Sequence, residues 1–237
     1  FNGPNAARRV TNIVFMGMGE PLYNKDNVFQ AAKIMMDDNG IGLGSRRITL
    51  STSGVVPDIP AIGDELGVNL AISLHAPDDA TRTKIMPINN KYDIASLMDA
   101  VRRFKLKEHR RVTWEYVMLD GVNDSDAKAD QLIDLIKDIP SLVNIIPFNP
   151  WPGTPFECSS KERIDAFARK LEKAGVDVTV RKTRGEDILA ACGQLRSETS
   201  KRNTISVEYP SVVAVYGSEK QKTLVKIQMP EDNTPTA

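Results

Sequence analysis

The sequence predicts an α/β fold, and three observations support it. Six short segments are β-branched and mostly apolar, as strands buried in a sheet are. Amphipathic stretches with helical spacing lie between them. Several of those stretches open on Asp or Ser and two close on Gly, the residues that cap helices. Strands covered on both faces by crossover helices form a parallel sheet, as an open doubly wound sheet or part of a barrel.

In chain order, the strand pattern "NIVFMGMG" (12–19) precedes the amphipathic "KDNVFQAAKIMMDD", and "RITLSTSG" (47–54) precedes "VPDIPAIGDELG". The strand "NLAISLHA" (69–76) leads to the helical "IASLMDAVRRFKL", and "RVTWEYVML" (111–119) leads to the Ser-opened "SDAKADQLIDLIKD". "LVNIIPFN" (142–149) is followed by "SKERIDAFARKLEKAG", which opens on Ser and closes on Gly, and "VDVTVRKT" (176–183) ends the series.

With 237 residues, 41% hydrophobic and 26% charged, the chain can bury one substantial core, and one domain is the simplest count. Lysine plus arginine equal aspartate plus glutamate at 31 each, so no overall positive field advertises a polyanion, although local patches stay open. The apolar runs are far short of a membrane span, and "FNGPNAARRV" has no apolar segment like that of a secretory signal. A soluble, reducing compartment is expected. The chain starts on Phe1 and meets a strand pattern by about residue 12, as a fragment lacking its beginning would.

In either architecture the ligand site is expected at the carboxyl ends of the strands. Those ends carry Gly17, Gly19 and Glu20; Ser51, Thr52 and Ser53; Ser73 and His75; Asn149; and Arg184 and Gly185 just before Cys192. Each has a structural reading beside the functional one. "GMGEP" lacks the lysine and spacing of a phosphate loop; its glycines either make a turn before Pro21 or let the backbone reach a ligand whose ammonium Glu20 accepts. "LSTSG" is either a strand end with local side-chain bonds or a ligand contact. His75 is a hydrogen-bonded rim residue or a functional imidazole, and Asn149 between prolines is a turn residue or a ligand contact. Cys192, in "DILAACGQL", is a small buried helix residue or a nucleophile, and Cys158 has no assigned role.

Taken jointly, in order and in register over about residues 8–198, six motifs carry a resemblance. They are "VFMGMGEPL", "RRITLSTSG", "NLAISLHAPDDATRTKIMPIN", "WEYVMLDGVND", "IPFNPWPGTPFE" and "RGEDILAACGQL". They resemble the radical S-adenosylmethionine (SAM) adenine C2 methyltransferases, the RlmN family, which act on large-subunit ribosomal RNA and on transfer RNA. The resemblance implies a partial (β/α) barrel of the radical-SAM type over residues 1–198. It also implies that Gly19 and Glu20 hold the amino and carboxyl end of SAM. Ser51, the segment Ser73, Leu74 and His75, and Asn149 would line the same cofactor.

Cys192 would be the methyl-carrying cysteine, because C2 of adenine is too poor a nucleophile to attack a sulfonium methyl and a thiolate is a strong one. In the implied sequence Cys192 takes a methyl from one SAM, and a radical from a second SAM, cleaved at a 4Fe-4S cluster, abstracts hydrogen from it. The resulting methylene radical adds to the adenine. Small neighbours Ala191 and Gly193 would leave the sulfur room to meet a flipped-out base.

The cluster loop of the family, CxxxCxxC, does not occur, and two cysteines cannot replace three thiolates. The amino-terminal accessory domain, first strand and cluster loop are therefore expected upstream of Phe1, where the resemblance also implies the resolving cysteine and a general-base glutamate, with no metal ligand in this chain. The polypeptide alone is expected to bind no cluster and to transfer no methyl. Expected partners are ribosomal and transfer RNA and a reductant such as flavodoxin or ferredoxin, in the cytoplasm or alternatively an organelle, with no membrane. Basic clusters at Arg8 and Arg9, Arg46 and Arg47, 101–111 and 181–185 are solvated surface, or phosphate contacts if they line one rim. Residues 199–237 lie beyond the resemblance as an extension of unassigned role, with hairpin patterns in "ISVEYPSVVAVYG" and "TLVKIQM" and a frayed "PEDNTPTA". Two other readings stay open: the related C8 methylation, and a non-catalytic remnant of the fold.

Overall fold

The computed structural model describes residues 10–17, 19–151 and 153–181, together with two short strands at 215–216 and 223–224. Six strands lie where the patterns put them. They are β1 (Ile13–Phe15), β2 (Ile48–Thr52), β3 (Asn69–Ser73), β4 (Val112–Met118), β5 (Ser141–Pro147) and β6 (Asp177–Val180). They pair in parallel in the order β1-β2-β3-β4-β5-β6. This sequential order decides between the two architectures. Successive right-handed crossovers put every helix on the same face, whereas a doubly wound sheet reverses direction and uses both.

Burial follows that geometry. On β4, Trp114, Tyr116 and Met118 are 0% exposed on the helix-covered face, while Thr113, Glu115 and Val117 alternate onto the other. Tyr116 packs against Phe167, with ring centroids 5.2 Å apart. On β2, Ile48 and Leu50 are buried beside the core while Thr49 and Ser51 take the alternate positions. The uncovered face of the sheet is therefore lined by small and polar side chains.

The helices are α1 (Lys25–Met36), α2 (Ile59–Ala61), α3 (Asp79–Ile85), α4 (Ile94–Arg103), α5 (Asp126–Ile136) and α6 (Lys161–Lys173). Ser125 and Ser160 cap α5 and α6 by accepting from Lys128 N and Arg163 N, as the sequence implies. Gly175 follows α6 with φ +81°, a conformation open to glycine.

Two elements differ from the sequence pattern. The stretch 56–67 is not one α-helix: a 3-10 turn (Val56–Asp58), the single turn α2 and a π turn (Ile62–Leu66) succeed one another. Pro57 and Pro60 lack the N–H donors that a continuous helical ladder needs. The short helix α3 is absent from the pattern because it has no apolar stripe; its inward residue is Arg82, at 0% exposure.

The chain divides into two compact units, Phe1–Ser197 and Glu198–Ala237. In the second, Val215–Tyr216 and Thr223–Leu224 pair antiparallel. No helix among the described residues is long and apolar enough to cross a membrane.

Candidate functional site

The carboxyl ends of the strands enclose a cavity of about 480 Å³. Its wall includes Gly17, Gly19 and Glu20 after β1, Ser51 and Thr52 on β2 and Ser53 just past it, Ser73 on β3 and His75 just past it, Glu115 on β4, Ile146 on β5 and Arg181 after β6. That volume is in the ordinary range for a small-molecule site.

Gly19 has φ +93°, and a Cβ built on it or on Gly17 meets nothing within 4 Å. Gly17 and Gly19 thus present bare backbone to open space. Glu20 is fixed beside it. Its Oε1 accepts from Leu22 N at 3.1 Å, capping the turn Pro21–Asn24, and its Oε2 accepts from Ser53 N at 2.7 Å and Ser53 Oγ at 2.6 Å. A carboxylate has about four lone-pair positions, so Glu20 keeps capacity for an ammonium. Thr52 also borders the cavity but is nearly buried, and its hydroxyl accepts from Gly54 N and Val55 N and closes β2 locally.

His75 sits just past β3 with φ +59°, a strained conformation that its neighbours hold in place. Its N–H donates to Glu115 C=O at 3.2 Å, and its own C=O accepts from Asn123 Nδ2 at 2.7 Å. Nδ1 accepts from Val117 N at 3.2 Å, so the neutral ring carries its proton on Nε2. Burial, reinforced by the Arg82 charge and opposed by the hydrogen bond to Glu115, pushes the imidazole down to about 4.

Between the unfolded value near 6.5 and the folded value near 4 the unfolded chain binds the extra proton. Stability is therefore complete above about pH 6.5 and falls as pH drops toward 4, by up to about 1.4 kcal/mol per pH unit. His75→Asn removes the titrating group while tolerating positive φ. Urea midpoints measured across this pH range are expected to slope less for the variant; parallel slopes would overturn the assignment.

Several residues of this site escaped the sequence reading. Register aligns Ser73 with Glu115, Glu115 with Asn144, and Asn144 with Thr179. Asn144 Nδ2 donates to Glu115 Oε2 at 2.7 Å and Thr179 Oγ1 donates to Asn144 Oδ1 at 2.9 Å, giving a polar row across the open face. Burial raises the Glu115 carboxyl, against the lowering effects of Asn144 and the Arg181 charge. A glutamate inside the apolar run "RVTWEYVML" was the available signal.

Arg82 is the second omission. Its guanidinium donates to Ser53 C=O at 2.6 Å, Ser73 C=O at 3.2 Å, Leu74 C=O at 3.1 Å and Asn89 Oδ1 at 2.8 Å. It ties the ends of β2 and β3 together beneath the cavity. Asn123, also 0% exposed, does the same for β4, donating to Val117 C=O and His75 C=O and accepting from Leu119 N.

Of the residues that the sequence singled out, Gly19, Glu20, Ser51, Ser73 and His75 meet in the cavity. Leu74 is 0% exposed and outside the cavity wall, its N–H donating to Glu115 C=O and its C=O accepting from Arg82, and Asn149, two residues past β5, is also outside the wall. Cys192, with Arg184 and Gly185, lies outside the described residues. Among the described residues, the basic clusters do not all line the cavity rim. Arg181 is at the cavity, whereas Arg46, Arg47 and the stretch 101–111 lead into the opposite, amino-terminal ends of β2 and β4. Arg8, Arg9 and 182–185 lie outside the described residues.

The site can thus hold a ligand with an ammonium, hydroxyls and an apolar part. Glycine backbone and a carboxylate serve one end, three serines and a neutral imidazole supply hydroxyl and N–H partners, and Phe15 and Ile146 add apolar wall. SAM fits such a donor set. A 4Fe-4S cluster does not find its ligands here. The chain has only Cys158 and Cys192, and no group of three His, Cys, Asp or Glu among the described residues could hold a metal.

Comparisons with known proteins agree with this geometry. The chain is 56% identical over 195 residues to the dual-specificity RNA methyltransferase RlmN of Hyphomonas neptunium, covering 82% of this chain and 50% of that protein. It is 57% identical over 195 residues to the RlmN of Methylobacterium radiotolerans, covering 82% and 46%. The chain spans about half the length of these curated relatives.

Among solved structures, a radical SAM methyltransferase from Sphaerobacter thermophilus superposes with a TM-score of 0.75 at 48% identity, over 79% of this chain and 55% of that one. A domain of pyruvate-formate lyase-activating enzyme from Bacteroides vulgatus shares the fold alone, with a TM-score of 0.55 at 14% identity over 72% and 99%. The sequence model of the Radical SAM superfamily matches residues 5–133. Sequential parallel strands, a polar cavity at their carboxyl ends and this match together show that the chain belongs to the radical SAM superfamily.

Proposed function

We propose that this chain is the SAM-binding core of a methyltransferase that adds a methyl group to C2 of adenine in large-subunit ribosomal RNA and transfer RNA. The observation that carries the reading is the 56% identity over 195 residues, 82% of this chain, to a dual-specificity RNA methyltransferase. Bound SAM supplies the methyl group and, on reductive cleavage, a radical. The cluster for that cleavage needs ligands from outside this chain.

The residues here bind and orient. Gly19 and Glu20 take the amino-acid end of SAM, with Glu20 held rigid by Ser53 and the turn cap. Ser51, Ser73 and the Nε2–H of His75 offer hydrogen bonds to the remainder, and Leu74 holds the segment behind them through its backbone bonds with Glu115 and Arg82. A preorganised wall of this sort loses little entropy when the ligand arrives. Asn149 reaches the ligand from the loop after β5, and Cys192 carries the methyl group to the base. A low-potential flavodoxin or ferredoxin supplies the electron, and the protein works in the cytoplasm.

The test is product analysis with the complete protein, SAM, an anaerobic reductant and ribosomal or transfer RNA. 2-Methyladenosine in the digested RNA is expected. 8-Methyladenosine, or no modified adenosine at all, would overturn the assignment.

A further inference from the structure

The basic clusters at the far end of the sheet are not equivalent to one another. On the stretch 101–111, Arg102 pairs with Asp138 at 2.7 Å, Arg103 with Asp99 at 2.9 Å, Lys105 with Asp64 at 2.6 Å and Arg111 with Asp177 at 2.6 Å. These are ordinary surface pairs whose charge is locally cancelled. Arg46, Lys107 and Arg110 have no carboxylate at ion-pair distance among the described residues.

Lys107 and Arg110 converge instead on one hydroxyl, that of Ser45, and Arg46 is the next residue along the chain, close enough for its charge to act on Arg110. Arg110 NH2 donates to Ser45 Oγ at 3.1 Å, while its NH1 is anchored on Gly67 C=O at 2.7 Å. Lys107 Nζ donates to the same Ser45 Oγ at 3.4 Å and lies across Gly67, where an added Cβ would come within 2.6 Å of it. Gly67 has φ +58°, a conformation that calls for glycine. Desolvation, joined by repulsion from Arg46, lowers the Arg110 guanidinium. Like charges are thus held side by side with no counter-charge, an arrangement that an incoming anion relieves.

We propose that Ser45, Arg46, Lys107 and Arg110 form a phosphodiester-binding site that grips the RNA backbone at the end of the sheet opposite the cofactor cavity. Arg110 is preorganised by its two hydrogen bonds and has N–H groups to spare, Lys107 and Arg46 are exposed point contacts, and Ser45 can turn its hydroxyl proton to a phosphate oxygen. Such contacts position a nucleic acid without reading its sequence. Strand β2, Ile48–Thr52, alone rises roughly 13 Å at about 3.3 Å per residue between this site and the cavity, so the backbone is held away from the base being modified. The site rests on the RNA-substrate reading above and adds to it where a second part of the RNA is held.

The test compares two double variants of the complete protein, binding a fluorescein-labelled RNA hairpin over a range of salt concentrations. Arg46→Gln with Lys107→Gln removes two exposed, unpaired charges. Arg102→Gln with Arg103→Gln removes two charges from the same region that carboxylates already cancel. The first is expected to weaken binding about tenfold and to flatten the log–log salt slope by about 1.5, the share of two phosphate contacts. The second is expected to stay within about twofold of the parent. Equal losses in both, no loss in either, or weakened heparin binding with RNA binding unchanged would each overturn the site. This comparison needs no turnover, so it stands even if methyl transfer is not found. Circular dichroism confirms folding in each variant, and Lys107→Gln alone, expected to flatten the slope by about half as much, supplies a milder check.

Discussion

Arg82→Leu is expected to lower the stability of the complete protein by about 4 kcal/mol. The side chain is 0% exposed and donates to three main-chain carbonyls, of Ser53, Ser73 and Leu74, and to the Asn89 amide oxygen. Leucine fills part of the volume but leaves those acceptors buried without donors, each costing about 1–3 kcal/mol. The gain from no longer burying a guanidinium, whose pKa desolvation already lowers to about 10, offsets only part of that. Since the total stability of a domain is typically about 5–15 kcal/mol, the loss is large.

Two further readouts follow from the same geometry. Arg82→Lys keeps the charge but not the planar fork, and is expected to fall between parent and leucine variant. The ends of β2 and β3 lose their common tie, so SAM affinity is expected to drop about tenfold even where the variant is folded. Urea unfolding and calorimetric titration with SAM read the two effects. A leucine variant within about 1 kcal/mol of the parent would show that the carbonyls find other donors.

Cys192→Ala in the complete protein is expected to abolish methyl transfer, by more than about 10⁴-fold, with stability almost unchanged. Alanine differs from cysteine by one sulfur, and the flanking residues Ala191 and Gly193 are already small. If Cys192 were only a small packed residue, the variant would keep its activity and lose at most a little stability. The two readings therefore separate cleanly. Mass spectrometry of the parent, stalled during turnover, is expected to find an added one-carbon unit on the peptide containing Cys192; surviving activity in the alanine variant would end the proposal.

Local chemistry accounts for what could be read without a structure. Period and β-branching placed all six strands, and Ser125 and Ser160 announced α5 and α6, because those signals depend on neighbours in sequence. The rule that ligands collect at strand ends then identified Gly19, Glu20, Ser51, Ser73 and His75 as companions. The same local logic overreached at 56–67, where two prolines break the helix that the apolar spacing suggests.

What depended on the tertiary arrangement was every partnership across strands. A sequence with alternating strands and helices suits a barrel or a doubly wound sheet; only the order of pairing, β1 through β6 in succession, selects the barrel type. Arg82 reads as an ordinary helix arginine until β2 and β3 bring their terminal carbonyls around it, and Glu115 and Asn144 become a pair only through register. The basic stretch 101–111 likewise looks uniform in one dimension. Folding supplies carboxylates to some of its cations and sets Lys107 and Arg110 beside Arg46 with none, because charge cancellation depends on distance in space and not on distance along the chain.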